Sequence, residues 1–271
     1  MRIIANSLPK SGTHLLVKTL ELLGLTKQEM GLTGALIRPT SRNIFNRIKV
    51  NRRRSLGFDD SDSFSIDLDD INNKVSEAYL RQYLDSIKDN HFVTAHLPYS
   101  YRLESYLLDK GFKMIYIVRD PRDVLVSLYN YHKKTFKPYS KELKNINVEK
   151  GISNIYNGIS RRNANLSPLS NRVKNSIGWF HSSSTPLKFE ELIGAKGGST
   201  NKLQFESLNK LISDLGLSDK YDPAKVQGLI FDKSAKTFNK GTVEQYKLSL
   251  SISQINEIES DMKNEMKVLG Y

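Results

Sequence analysis

Residues 5–14 read ANSLPKSGTH, and the apolar residues Ile3 and Ile4 precede them. A short apolar run of this kind predicts a β-strand over residues 2–7. The segment that follows, THLLVKTLELLG, places leucines at helical spacing on one face and ends in a glycine, which favours a helix that stops there. The stretch therefore predicts a strand, a turn and a helix in direct succession.

The turn has the residue types of an anion-binding loop. Gly12 lets the backbone approach an anion closely, Ser11 and Thr13 add hydroxyl donors, and Lys10 adds a mobile positive charge. A turn that enters a helix at the carboxyl end of a strand also presents backbone N–H groups to an anion. The order differs from the nucleotide-kinase motif, because Asn6 stands where that motif has its first glycine and the lysine precedes Gly12.

The rest of the chain alternates strands and helices. Apolar segments at 91–96, 113–118 and 185–188 predict strands, and helices are predicted at about 74–88, near 100–111, from Pro121, at 203–216 and from Ser251. Ser251 and Gln254 have capping-box spacing, and the apolar stripe of that last helix is Ile252, Ile255, Ile258, Met262, Met266 and Leu269. Buried strands separated by helices predict one α/β domain over residues 1–271, with a central parallel sheet flanked by helices.

Composition excludes several classes of site. The chain of 271 residues is 38% hydrophobic and 26% charged, as is ordinary for a globular protein, and it has no cysteine, which excludes disulfides, thiolate catalysis and cysteine-based zinc sites. The five histidines show no metal-ligand spacing, so no metal is expected. Neither a long apolar span nor a signal-peptide pattern is present, and the expected location is cytoplasmic.

The net charge of +12 favours an anionic partner. Part of the excess is local, because residues 38–54 hold seven Lys and Arg and no acid, and six aspartates follow within residues 59–70. Adjacent basic and acidic runs with little periodicity predict a mobile surface loop over residues 38–73. Whether it is a plain excursion or a lid over a substrate is open from the sequence.

Two motifs resemble the sulfotransferases that use 3′-phosphoadenosine 5′-phosphosulfate (PAPS). LPKSGTHLL, at residues 8–16, resembles the family's PKSGTTW loop, which binds the 5′-phosphosulfate. IYIVRDPRDVLVSLYNYHK, from residue 115, resembles its 3′-phosphate motif, with Arg119 at a strand end and Ser127 eight residues later in a helix. An arginine leaving the sheet edge and a serine two helical turns on can both reach one phosphate.

Three further segments agree with the family in order along the chain. FVTAHLPYS resembles its T-H-L-P strand end, which implies that His96 is the catalytic base. TPLKFEEL resembles its Y-E-D-L strand, which implies that Phe189 contacts the adenine. FNKGTVEQYK resembles the stretch that closes over the 3′-phosphate, which implies contacts from Asn239, Lys240 and Gly241.

Departures from the family pattern fall in the opening loop and in the C-terminal stretch, where Asn239 replaces an arginine. The loop's second threonine is His14 and its tryptophan is Leu15, so stacking on the adenine would rely on Phe189 and on Phe231. The full set of residues that the resemblance assigns to the donor is Lys10, Ser11, Gly12, Thr13, His14, Arg119, Ser127, Phe189, Phe231, Asn239, Lys240 and Gly241.

The implied reaction moves a sulfuryl group from PAPS to a hydroxyl or amine, leaves 3′-phosphoadenosine 5′-phosphate (PAP), and uses a P-loop-like phosphosulfate-binding loop. Lys10 would stabilise charge on the leaving phosphate. His96 suits a general base at neutral pH, and His14 is a second candidate. Taken as a single position, without the resemblance, His96 is better explained as a satisfied buried histidine. The corresponding alternative for Arg119 and Ser127 is a surface arginine and a helix serine.

The acceptor is open among small molecules, glycans and lipid headgroups, as is the oligomeric state. Two functions of other classes compete with sulfuryl transfer. The first is a small-molecule kinase, which would need Mg²⁺ and the Gly-Lys-Ser/Thr order that the chain lacks. The second is a non-enzymatic binder of acidic glycan or nucleic acid through residues 38–54, although no nucleic-acid partner is expected.

Overall fold

The computed structural model describes residues 1–37, 62–135, 140–161, 164–231 and 242–271. The strands, in chain order, are β1 (Arg2–Ser7), β2 (Thr26–Lys27), β3 (Ser63–Ser65), β4 (Lys74–Ser76), β5 (His91–Ala95), β6 (Phe112–Val118), β7 (Ile159–Arg161), β8 (Ala164–Leu166) and β9 (Thr185–Lys188).

The α-helices, in chain order, are α1 (Thr13–Leu22), α2 (Leu32–Ile37), α3 (Glu77–Asp85), α4 (Tyr101–Asp109), α5 (Pro121–Lys134), α6 (Ser140–Asn145), α7 (Val148–Tyr156), α8 (Leu169–Ser176), α9 (Phe189–Leu192), α10 (Asn201–Leu215), α11 (Pro223–Gln227), α12 (Ile252–Asp261) and α13 (Lys263–Leu269). Short 3₁₀ turns cover Ile177–Phe180, Ala195–Gly197 and Gln245–Leu248.

Five strands form a parallel sheet in the order β2-β5-β1-β6-β9. In register, Ile4 of β1 lies opposite Val93 of β5 and Met114 of β6. All five carboxyl ends therefore point to one edge, and β1, which leads into the opening turn, lies at the centre. The predicted fold class is confirmed.

Helices cover both faces of the sheet, which is why the central strand is buried from Ile3 to Ser7. Side chains alternate along that strand, so Ile3 and Ala5 join a core with α1 and α10, whereas Ile4 joins a core with α3, α4, α5 and α7. Burial on both faces requires a continuous apolar run, and the sequence supplies one in β1, β5 and β6.

Helix boundaries follow the capping residues. Asp120 accepts a hydrogen bond from the Arg122 backbone N–H and Pro121 occupies the first turn of α5, and the predicted capping box of Ser251 with Gln254 is present at α12. The helix predicted at 74–88 begins only at Glu77, because residues 74–76 pair with β3.

The predicted last helix is two helices. Met262 has a backbone conformation (φ −117°, ψ 24°) outside the helical region, so α12 ends before it and α13 begins after it. Ile252, predicted in the apolar stripe, is 78% exposed, and the buried face of α12 is formed by Ile258 and Gln254 instead. The stripe was therefore wrong at its first position.

The segment predicted as a mobile loop falls into two parts. Residues 38–61 lie outside the described residues. In the remainder, β3 pairs antiparallel with β4, and Phe64, Ile66 and Leu68 are buried in the core. A lid over the substrate stays a prediction for residues 38–61, while residues 62–73 pack against the domain.

In the part of the chain that the structure describes, every helix is too short or too polar to span a lipid bilayer.

Candidate active site

The turns after β1, β5 and β6 meet at the carboxyl edge of the sheet and enclose a cavity of about 590 Å³. Nine of the residues predicted for the site line it: Lys10, Gly12, Thr13, His14, His96, Arg119, Ser127, Phe189 and Phe231. Ser11 is buried behind the turn, and Asn239, Lys240 and Gly241 lie outside the described residues. The tertiary structure thus brings together most of the predicted site residues, which are more than two hundred positions apart at their extremes in the sequence.

The opening turn has the geometry of an anion cradle. Gly12 is the N-cap of α1 with φ +99°, and a Cβ atom there would approach the Phe189 ring to 2.6 Å, so both the conformation and the contact require glycine. The free N–H groups of the first turn of α1 follow directly. The Ser11 hydroxyl oxygen is buried and makes no hydrogen bond to any described residue.

Lys10 is a strained and partly desolvated cation. Its backbone φ of +70° is unusual for a residue with a Cβ atom, and its ammonium lies 4.4 Å from the centroid of the Tyr131 ring. Burial, and then the positive charge of Arg119, lower the pKa of Lys10. An anion bound in the cavity would favour the charged form of Lys10 and so oppose both effects.

Arg119, at the end of β6, is buried and makes several contacts with the surrounding core. The guanidinium donates hydrogen bonds from Nη2 to Asp123 Oδ2 at 2.9 Å and to the Thr242 carbonyl at 2.7 Å, and it lies 4.3 Å from the centroid of the Phe189 ring. Asp123 also accepts from the backbone N–H of Tyr246 at 2.9 Å. The Nε–H of Arg119 is buried and has no acceptor among the described residues.

Ser127 lies two turns into α5, half-buried, on the face that lines the cavity. Phe189 lines the same cavity with only 5% of its surface exposed, because its ring packs against Gly12 and carries the Arg119 guanidinium. Phe231 lines it as well. Stacking of Phe189 or Phe231 on an adenine stays a prediction.

His96 follows β5 and is oriented by Ser7 at the end of β1. Its Nδ1 lies 2.9 Å from the Ser7 carbonyl oxygen and 3.1 Å from Ser7 Oγ. Because a carbonyl oxygen only accepts, Nδ1 carries the proton and Nε2 keeps its lone pair. Burial lowers the pKa of His96, which favours the neutral ring that a base must have.

The hydroxyl of Ser7 joins the histidine to the opening turn. Ser7 Oγ lies 2.8 Å from Thr13 Oγ1 as well as within hydrogen-bond distance of His96. His14, which follows Thr13 in the chain, also lines the cavity and is largely exposed. Partial burial, followed by the charges of Lys10 and Lys27, lowers the pKa of His14. Both histidines are therefore neutral near pH 7.

Three residues of the site were missed by sequence reasoning. Ser7 is fully buried, and its signal was a polar residue ending an apolar strand. Tyr131 lies four positions after Ser127, so helical spacing alone places it on the same face. Asp69 belongs to no motif and reaches the cavity only through tertiary contacts.

The architecture is similar to that of a solved sulfotransferase. The structure of mouse sulfotransferase SULT7A1 complexed with PAP matches with a TM-score of 0.61 at 18% identity, over 100% of this chain and 88% of that one. Retinol dehydratase in complex with androsterone and inactive cofactor PAP matches with a TM-score of 0.49 at 18% identity, over 98% of this chain and 80% of that one. No curated protein sequence gives a significant match.

The structural similarity bears on the fold, because the identities are low. Family membership rests on the sequence, since the family model described as the sulfotransferase domain matches residues 2–193, which include the opening turn, His96, Arg119, Ser127 and Phe189. The resemblance seen in the motifs is thereby confirmed. The chain belongs to the sulfotransferase family.

Proposed function

We propose that this protein transfers the sulfuryl group of PAPS to a hydroxyl or amine of an acceptor, with His96 as general base. The observation that carries the proposal is the convergence of Lys10, His96 and Arg119, from the ends of three adjacent strands, on one cavity. Membership of the sulfotransferase family supports the reaction class.

The anion-binding groups support PAPS as the donor. Arg119 offers a buried Nε–H without an acceptor among the described residues, and Ser127 offers a hydroxyl in the same cavity. Together they suit the 3′-phosphate, since charged donors and hydroxyls are the usual phosphate ligands. The N-terminus of α1 and Lys10 suit the 5′-phosphosulfate. Asn239, Lys240 and Gly241, assigned by resemblance, are part of the proposal but lie outside the described residues.

The chemistry assigned to these residues is an in-line transfer. Nε2 of His96 takes the proton of the acceptor while the acceptor oxygen or nitrogen bonds to sulfur. The bond from sulfur to the phosphate oxygen breaks, and the electron pair stays on that oxygen, so PAP leaves. Lys10 and the N–H groups of the turn stabilise the negative charge that moves to the leaving phosphate.

The experiment compares donors by thermal unfolding and by transfer. PAP should raise the melting temperature clearly more than AMP, which lacks the 3′-phosphate, and radiolabel from PAPS should appear in at least one member of a broad acceptor panel. Equal stabilisation by PAP and AMP would contradict the donor assignment. Stronger stabilisation by ATP with Mg²⁺ would favour the kinase instead.

A further inference from the structure

The order of the sheet divides the cavity into two sides. Arg119 stands at the end of β6, on one side of the opening turn, and His96 stands after β5, on the other. The groups that suit PAPS lie on the β6 side and in the turn. The β5 side, which holds Thr94, His96 and Asp69, is therefore where the acceptor would meet the base, if the proposed function holds.

Asp69 is fixed beside His96 by backbone contacts from two directions. The Leu68 backbone N–H donates to the His96 carbonyl oxygen at 3.0 Å. The Asp69 carbonyl oxygen accepts from Ser167 twice, at 2.8 Å from the backbone N–H and 2.9 Å from the hydroxyl. The position of this residue next to the histidine is thus set by the fold and does not depend on its side chain.

The carboxylate of Asp69 uses one oxygen and leaves the other available. Oδ1 accepts from Nη1 of Arg172 at 3.3 Å, and Arg172 is fully buried behind it. No described residue donates to Oδ2. The Asp69 side chain is 39% exposed and lines the cavity, so Oδ2 is open to a ligand there.

Lys27 and Glu21 are further charged residues that line the cavity, but both are exposed. Charges in contact with bulk water are screened, whereas a half-buried carboxylate held by the backbone interacts more strongly with a nearby cation. Of the two carboxylates that line the cavity among the described residues, Asp69 is therefore better placed than Glu21 to bind a cationic group of the acceptor.

We propose that Asp69 is a specificity-determining residue, and that the acceptor carries a cationic amine in addition to the hydroxyl that His96 deprotonates. The amine would donate to Asp69 Oδ2 and orient the hydroxyl towards Nε2 of His96. A hydrogen bond to a charged partner of this kind strengthens binding by about 10- to 100-fold.

The test measures binding of two matched pairs of phenols to the protein saturated with PAP: tyramine against 4-ethylphenol, and 4-hydroxybenzylamine against 4-methylphenol. Calorimetry should show about 10- to 100-fold tighter binding of at least one amine than of its neutral partner. D69N should bring that ratio close to one. Equal binding within both pairs, tighter binding of the neutral phenols, or an unchanged ratio in D69N would overturn the proposal.

Three controls test whether Asp69 itself causes the preference for the amine. D70N removes a neighbouring carboxylate that does not line the cavity, and it should keep the preference. D69E keeps the negative charge and should retain a preference for the amine over its neutral partner. It gives a second measurement if D69N, next to Arg172, folds poorly. PAP binding is measured first. If PAP does not bind, the proposed function fails, and the same ratios measured on the free protein still decide the role of Asp69.

Discussion

The β6 side and the β5 side of the cavity hold their functional groups in different ways. Arg119, on the β6 side, is buried and tied to Asp123 and to the Thr242 carbonyl, so it is part of the core as well as part of the site. His96, on the β5 side, is half-buried and is held through one ring nitrogen by Ser7.

Because of this difference, removing Arg119 should affect the stability of the fold, whereas removing His96 should affect mainly catalysis. Removing Arg119 leaves a buried carboxylate without its counter-ion, which costs folding free energy whatever the donor does. Removing His96 leaves Ser7 in contact with Thr13 and takes no charge partner from the core. The two sides should therefore respond differently to substitution, and the predictions below compare them from the largest expected effect to the smallest.

The largest effect should come from H96A. If His96 takes the proton of the acceptor, turnover should fall by about 10²- to 10⁴-fold, the usual contribution of general-base catalysis. PAP affinity should change little, because the donor groups lie on the β6 side and in the turn. Single-turnover transfer from labelled PAPS and calorimetry with PAP measure the two quantities.

H14A is the matched control for this experiment, since His14 also lines the cavity and is the second candidate base from the sequence. Its turnover should stay within a few-fold of the wild type. Near-normal turnover of H96A together with a large loss in H14A would transfer the role of base to His14.

R119A should lower the free energy of unfolding by about 3–5 kcal/mol, because Asp123 would be buried without its partner. Urea denaturation measures this change. S127A is the control on the same side of the cavity, and it should keep stability within about 0.5 kcal/mol while weakening PAP binding and leaving AMP binding unchanged. A fully stable R119A would show that the ion pair does not support the fold.

Y131L should slow turnover by about 2- to 30-fold, because the ring that holds the Lys10 ammonium is lost, and cation–π contacts contribute about 0.5–2 kcal/mol. Y131F keeps the ring and should retain activity. Steady-state kinetics with varied PAPS compares them. Equal losses in Y131L and Y131F would point to the hydroxyl of Tyr131 rather than to its ring.

The smallest effect concerns the titration of His96. Burial lowers its pKa, so in the free protein the ring should stay neutral below pH 6.5 and take up its proton only at lower pH. Because the unfolded chain binds this proton more readily, the linked stability is present above about pH 6.5 and declines as the pH falls. NMR titration of the histidine rings, assigned with H96A, measures the shift. A His96 pKa at or above 6.5 would contradict it.

Local patterns in the sequence determined much of the fold. They also determined most of the residues assigned to the donor, on the β6 side and in the opening turn. Apolar runs fixed β1, β5 and β6, because strands buried on both faces need continuous hydrophobic residues. The glycine of the opening turn and the eight-residue spacing of Arg119 and Ser127 are short-range features that depend on neighbouring residues alone. Where strand pairing competed with helix formation, the prediction was wrong: residues 74–76 pair with β3 instead of beginning a helix.

Only the tertiary structure decided which residues surround His96 on the β5 side. Ser7 reaches His96 because β1 and β5 are neighbours in the order β2-β5-β1-β6-β9, and a sequence does not state that order. Asp69 reaches the cavity because the His96 carbonyl and Ser167 hold its segment there. Such contacts join residues far apart in the chain, so no periodicity or local motif encodes them, and they form only when the sheet and its covering helices pack together.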